Sequence, residues 1–95
     1  MLFSSWDVFL GSVTVSSFIP GRIRCYSSLI ENNQSNAEIL RGAFAGIPAI
    51  TEFKINVRTG SVLIVYSPDR VSESQSLRRI ESALHSKFLD LKKIR

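Results

Sequence analysis

The hydrophobic and polar positions of this chain switch between a period near 3.6 and a period of two. Leu2, Phe3, Trp6, Phe9, Leu10 and Val13 fall on one broad helical stripe, weakened by Ser4, Ser5 and Gly11, and predict a short helix or ordered extension over residues 1–12. From Val13 the chemistry becomes that of a strand, with Val13, Val15, Phe18 and Ile19 leading to Pro20-Gly21, which reads as a kink or bulge. The strand then resumes as Arg22-Ile23-Arg24-Cys25-Tyr26. Its alternation puts Ile23 and Cys25 on one face and Arg22, Arg24 and Tyr26 on the other.

Ser27 to Gln34 reads as a polar loop, and Ser35 or Asn36 can cap the helix that follows, with Glu38 placed for the dipole of its first turn. Ile39, Leu40, Ala43, Phe44 and Ile47 recur at helical spacing as far as Gly46-Ile47-Pro48. Ile50 to Val57 alternates as a strand, and Thr59-Gly60 makes a turn. Ser61 to Tyr66 is apolar on both faces over Val62-Leu63-Ile64-Val65, as an interior strand tends to be. After Ser67-Pro68-Asp69, a second helix starting at Ser72 or Ser74 carries the stripe Val71, Leu77, Ile80, Leu84 and Phe88, leaving Arg78, Arg79, Glu81, Ser82 and Lys87 largely to water. Residues 88–95 either extend that helix or form a final edge strand; the pattern leaves both open.

The order βαββα, with or without a last strand, is that of an α+β ferredoxin-like split βαβ sandwich, whose right-handed crossovers set both helices on one face of an antiparallel sheet. The domain is expected over residues 13–95, with residues 1–12 as an apolar N-terminal extension. Its other sheet face needs water or a cover. Candidate covers are the extension with Trp6 and Phe9, a second copy of the chain, or a larger partner.

At 95 residues, with 44% hydrophobic and 21% charged residues, the chain is sized for one folded domain near the small end of what sustains its own core. Eight arginines and four lysines against eight acids give a formal charge of +4 and a pI near 9.7. Some of the bases are grouped, as Arg22 with Arg24, Arg78 with Arg79, and Lys92, Lys93 and Arg95. That surplus permits attraction to phosphates, acidic proteins or anionic membranes without selecting among them. Cys25 is the one cysteine, so an internal disulfide and a Cys-x-x-Cys pair are both excluded; a reducing, cytoplasmic setting is expected. Residues 1–19 hold no basic residue, carry Asp7 and are interrupted by serines, which suits neither a signal peptide nor a membrane span.

The residues with candidate chemistry are few. Arg22, Arg24 and Tyr26 share a strand face, with Tyr66 closing the neighbouring strand, and guanidinium groups beside a phenol suit a phosphate, a carboxylate-bearing cofactor such as haem, or an acidic partner. Pairing of these arginines with Glu52 or another acid on a neighbouring strand is the plain alternative. Cys25 is read as a small core residue, with a lone soft-metal or haem ligand as its other reading. His85 is read as a surface or half-buried helical residue, again with metal or haem ligation as the second reading. RNA-stacking aromatics are missing from the centre of the Val62–Val65 strand, so nucleic acid is not the expected partner. No nucleophile triad, carboxylate pair or phosphate-cradling loop can be assembled, and no enzyme is expected.

Pro20-Gly21-Arg22-Ile23-Arg24 opening a strand, together with the hairpin Asn56-Val57-Arg58-Thr59-Gly60-Ser61-Val62-Leu63-Ile64-Val65-Tyr66, resembles the heavy-metal-associated (HMA) domain superfamily over about residues 13–90. More narrowly, it resembles a divergent branch with a Pro-Gly-Arg-x-Arg opening. The resemblance implies a small ferredoxin-like module working with metal-transporting P-type ATPases or related homeostasis systems, by docking or delivery. The usual HMA loop carries Met-x-Cys-x-x-Cys. Tyr26 to Gln34 holds neither methionine nor cysteine, so two-thiolate copper or zinc capture does not carry over.

The expected function is therefore a non-enzymatic binding or adaptor domain in metal or haem homeostasis, acting through protein contact or ligand holding on its sheet face, as a homodimer. The alternatives are a nucleic-acid-binding ferredoxin-like domain and a cargo or assembly module docking by its apolar N-terminus.

Overall fold

The computed structural model of the chain describes the backbone over residues 6–93 and side chains as far as residue 90. Leu2, Phe3, Ile94 and Arg95 of the sequence reading lie outside the described residues, as do the side chains of Lys92 and Lys93. The elements are α1 (Trp6–Gly11), β1 (Val13–Ile19), β2 (Arg22–Ser27), α2 (Gln34–Ala45), β3 (Ile50–Asn56), β4 (Ser61–Tyr66), a 3₁₀ segment (Pro68–Glu73) and α3 (Gln75–Lys93). The four strands form one antiparallel sheet in the order β1-β2-β4-β3.

The ferredoxin-like α+β architecture is as expected, with one strand more at the front and, among the described residues, none at the end. Pro20-Gly21 is a chain reversal, not a kink. Ile19 pairs with Arg22 across it, and Gly21 has φ +96°, the left-handed conformation that a Pro-Gly type II turn requires at its third residue. The Tyr66 amide donates to the Gly21 carbonyl at 3.0 Å, which ties the turn to the end of β4. β1 thereby takes the sheet edge beside β2, the position at which the last strand of a split βαβ unit would pair. With that edge filled, residues 88–93 have no free partner beside β2 and continue α3.

Local chemistry sets the helix starts. Asn33 caps α2, its Oδ1 accepting the Asn36 amide at 2.9 Å, so the cap lies two residues before the predicted Ser35. Asn36 instead donates its side-chain amide to the Leu29 carbonyl at 2.6 Å. Ser74 precedes α3 and its hydroxyl accepts the Leu77 amide at 3.1 Å.

The helices cover one face of the sheet. Val13 and Val15 of β1, Ile23 and Cys25 of β2, and Val62, Ile64 and Tyr66 of β4 meet Leu40 and Phe44 of α2 and Leu77, Ile80 and Leu84 of α3 in one core. A bulge at Ser16 shifts the register of β1, so that Phe18 rejoins the helix-facing side three residues after Val15. α1 belongs to the helical layer: Phe9 is fully buried, and Trp6 stacks on Phe44 with ring centroids 5.8 Å apart. Neither α1 nor its aromatic residues cover the open face: Phe9 and Leu10 are buried against the helices, and Val8 is exposed.

Candidate functional site

The open face is a three-row grid. Across β1, β2, β4 and β3 the registers align Ile19, Arg22, Val65 and Glu52 in one row, and Ser17, Arg24, Leu63 and Lys54 in the next. Thr14, Tyr26, Ser61 and Asn56 make the third. The Arg22–Tyr26 strand and the doubly apolar Val62–Val65 strand pair as the central neighbours β2 and β4, and Arg22, Arg24 and Tyr26 share this face.

Its chemistry is more basic and less greasy than an alternating Val-Leu-Ile-Val strand suggested. Leu63 is only 7% exposed between Arg24 and Lys54, as expected where long basic side chains lay their aliphatic stems over an apolar neighbour. Arg22, Lys54 and Tyr26 are exposed, and Arg24 is half-buried. Glu52 sits in the same row as Arg22 with Val65 between them, and among the described residues neither Arg22, Arg24 nor Lys54 forms an ion pair. The pairing with Glu52 weighed from the sequence does not form. Lys54 was missed as part of this surface, although its alternation with Phe53 and Ile55 was the signal for it.

Tyr66 is a correction. It lies on the helix-facing side, 3% exposed, and its hydroxyl donates to Glu81 Oε2 at 2.5 Å. The period of two decides this, because Tyr66 shares a face with Val62 and Ile64 and not with Leu63 and Val65. Burial and the bond to the Glu81 carboxylate push the phenol up to about 12.

Cys25 and His85 are not brought together. Cys25 is fully buried between Val15 and Val62 in the ladder. Burial pushes its thiol from 9.0 up to about 12, so it is a protonated apolar side chain near neutrality and a poor ligand. His85 is exposed on α3 and stacks on Phe18 at 4.7 Å. Raised values for Cys25 and Tyr66 mean that the fold favours both neutral forms. That stability is fully present below their unfolded values and is lost as pH rises from about 9 toward 12. Chemical denaturation is expected to show folding free energy falling above pH 9, with Cys25→Ala flattening the lower part of the decline. At pH 8 a thiol reagent should label native Cys25 only as fast as the protein opens.

The loop between β2 and α2 occupies the place of the HMA metal loop, and it is closed on itself. Ile30 at its centre is fully buried. The amides of Ile30 and Glu31 both donate to the Ser27 carbonyl at 3.2 Å, and Asn32, at φ +56°, donates to the Val57 carbonyl at 2.7 Å. Ser27 Oγ, itself buried, accepts the Leu29 amide at 3.1 Å and lies 2.8 Å from Ser12 Oγ. The loop offers no sulfur or imidazole donor, and no group of three or more His, Cys, Asp or Glu able to hold a metal occurs among the described residues. These residues do not fit a thiolate-bound heavy metal.

Fold and surface together define a small ferredoxin-like α+β domain with one open, basic sheet face. The heavy metal associated domain 2 family model matches residues 6–88, and the chain belongs to that family. No curated protein and no solved structure matches the chain significantly. No described helix is long and apolar enough to cross a membrane.

Proposed function

We propose that this domain is a non-enzymatic adaptor in metal or haem homeostasis that recognises an acidic protein surface with the open face of its sheet. The observation that carries the reading is the set Arg22, Arg24 and Lys54 around Leu63 and Val65, three cations without ion-pair partners among the described residues. Unpaired charges on a fixed sheet keep their full attraction for a partner, and the apolar strip between them adds contact area. Family membership supplies the metal-homeostasis context, and a metal-transporting P-type ATPase or a related system is the kind of partner it suggests. The donor set of the Ser27–Asn33 loop argues for contact in place of capture there. A second copy is a poor cover for this face, since pairing two such faces would oppose like charges.

A titration of the ¹⁵N-labelled domain with a peptide of alternating glutamate and leucine tests this reading. Saturable amide shifts are expected on β2, β4 and β3, weakening as salt rises from low to physiological strength. Arg22→Glu with Arg24→Glu should lower the affinity at least about tenfold while the fold is retained. Shifts centred on residues 28–33, or binding indifferent to the double reversal, would count against it.

A further inference from the structure

A second site lies away from the sheet face. Phe18 and Pro20 from the β1–β2 hairpin and Glu81, Ser82, His85, Phe88 and Leu89 from α3 enclose a groove of about 410 Å³, within the range of small-ligand sites. Three aromatic rings line it in near-parallel array: Phe18 stacks with His85 at 4.7 Å and 26°, and with Phe88 at 6.2 Å and 25°. Strict alternation along β1 does not predict it, because Phe18 reaches this side only through the bulge at Ser16.

Glu81 gives the groove a charge. Its Oε2 is anchored by the hydroxyl of buried Tyr66 at 2.5 Å. Oε1 takes no hydrogen bond, and the carboxylate forms no ion pair, among the described residues. His85 lies one turn further along α3 and lines the same groove without bonding to Glu81. A half-buried carboxylate that is held in place and left without a cation favours a positively charged ligand, and neighbouring ring faces favour a flat one.

We infer that this groove binds a small planar aromatic cation, its ring packed among Phe18, His85 and Phe88 and its charged N–H group on Glu81 Oε1. The site is independent of the sheet face and of the partner proposed for it.

Benzamidine, benzyl alcohol and benzoate serve as cationic, neutral and anionic probes of one ring. In ¹⁵N-correlation titrations of the full chain, benzamidine is expected to give saturable shifts confined to the ends of β1 and α3 around Phe18, Glu81, His85 and Leu89. Its affinity should exceed that of benzyl alcohol by about tenfold, with benzoate weakest. Glu81→Gln, which keeps an oxygen for the Tyr66 hydroxyl, should bring benzamidine to within about twofold of benzyl alcohol. Absence of saturable shifts, equal binding of all three probes, or undiminished benzamidine binding by a folded Glu81→Gln protein would overturn the assignment. Should that variant not fold, the ordering of the three probes on the unaltered chain decides.

Discussion

Replacing Gly60 with alanine is expected to remove about 3 to 5 kcal/mol of folding stability, a large part of what a domain of this size has. Gly60 sits at φ +78° in the turn between β3 and β4, where an L side chain is strained in any surroundings. The surroundings add a second penalty. A Cβ there would lie 2.6 Å from the Ser27 carbonyl oxygen and 3.1 Å from Glu31 Cβ. Backbone would have to move, and the bond from the Ser27 amide to the Gly60 carbonyl, 2.9 Å, would go with it. That bond joins the turn to the end of β2, and the same Ser27 carbonyl takes the amides of Ile30 and Glu31. Gly42→Ala is the control. Gly42 lies within α2 with nothing within 4 Å of a new Cβ, and the change should add about 0.5 to 1 kcal/mol. Urea unfolding of the two variants should move the midpoint in opposite directions.

Phe44→Ala is expected to cost about 3 to 5 kcal/mol and to uncouple α1 from the rest of the domain. Phe44 is 1% exposed and meets the rings of Trp6, Phe9 and Phe53 at centroid distances of 5.8, 6.5 and 5.4 Å. Its removal leaves a cavity under three aromatic residues from α1 and β3. Trp6 is the only tryptophan, so its fluorescence reports the docking of α1 directly. The variant should show a red-shifted emission before the main unfolding transition. Emission unchanged from the parent, with stability lowered by less than about 1 kcal/mol, would show that α1 is held by other contacts.

Much of the architecture was legible because it rests on periodicity. The alternation Arg22-Ile23-Arg24-Cys25-Tyr26 and the doubly apolar Val62–Val65 run identify the two central strands and the face that holds the arginines. One misreading and one choice left open share an origin, the Pro20-Gly21 dipeptide. Read as a bulge, it merges β1 with β2; read as the centre of a type II turn, it creates the hairpin, fills the sheet edge and leaves residues 88–93 to the helix. Local patterning cannot choose between a kink and a reversal when both flanks are strand-like.

The site was less legible, because it depends on which strands become neighbours. Lys54 joins the arginines only through the register of β3 on β4. Tyr66 leaves them because it follows Ile64 by two residues, a consequence of the sheet period that its chemistry obscured. Trp6 and Phe9 were candidates to cover the open face; instead Phe9 is buried in the core and Trp6 packs against it, both on Phe44. The absence of sulfur from the β2–α2 loop was evident in the sequence. That Ile30 and a set of backbone bonds close this loop required the fold.

The surface proposed to do the work is the open sheet face, and not the β2–α2 loop. Site-specific photo-crosslinking in cells tests it most directly, with the crosslinker placed at Tyr26, 41% exposed on the sheet face, or at Glu31, exposed in the loop. A discrete adduct is predicted from position 26 that disappears when Arg22→Glu and Arg24→Glu are added, with none from position 31. An adduct from position 31 that persists through the double reversal, with none from position 26, would move the working surface to the loop.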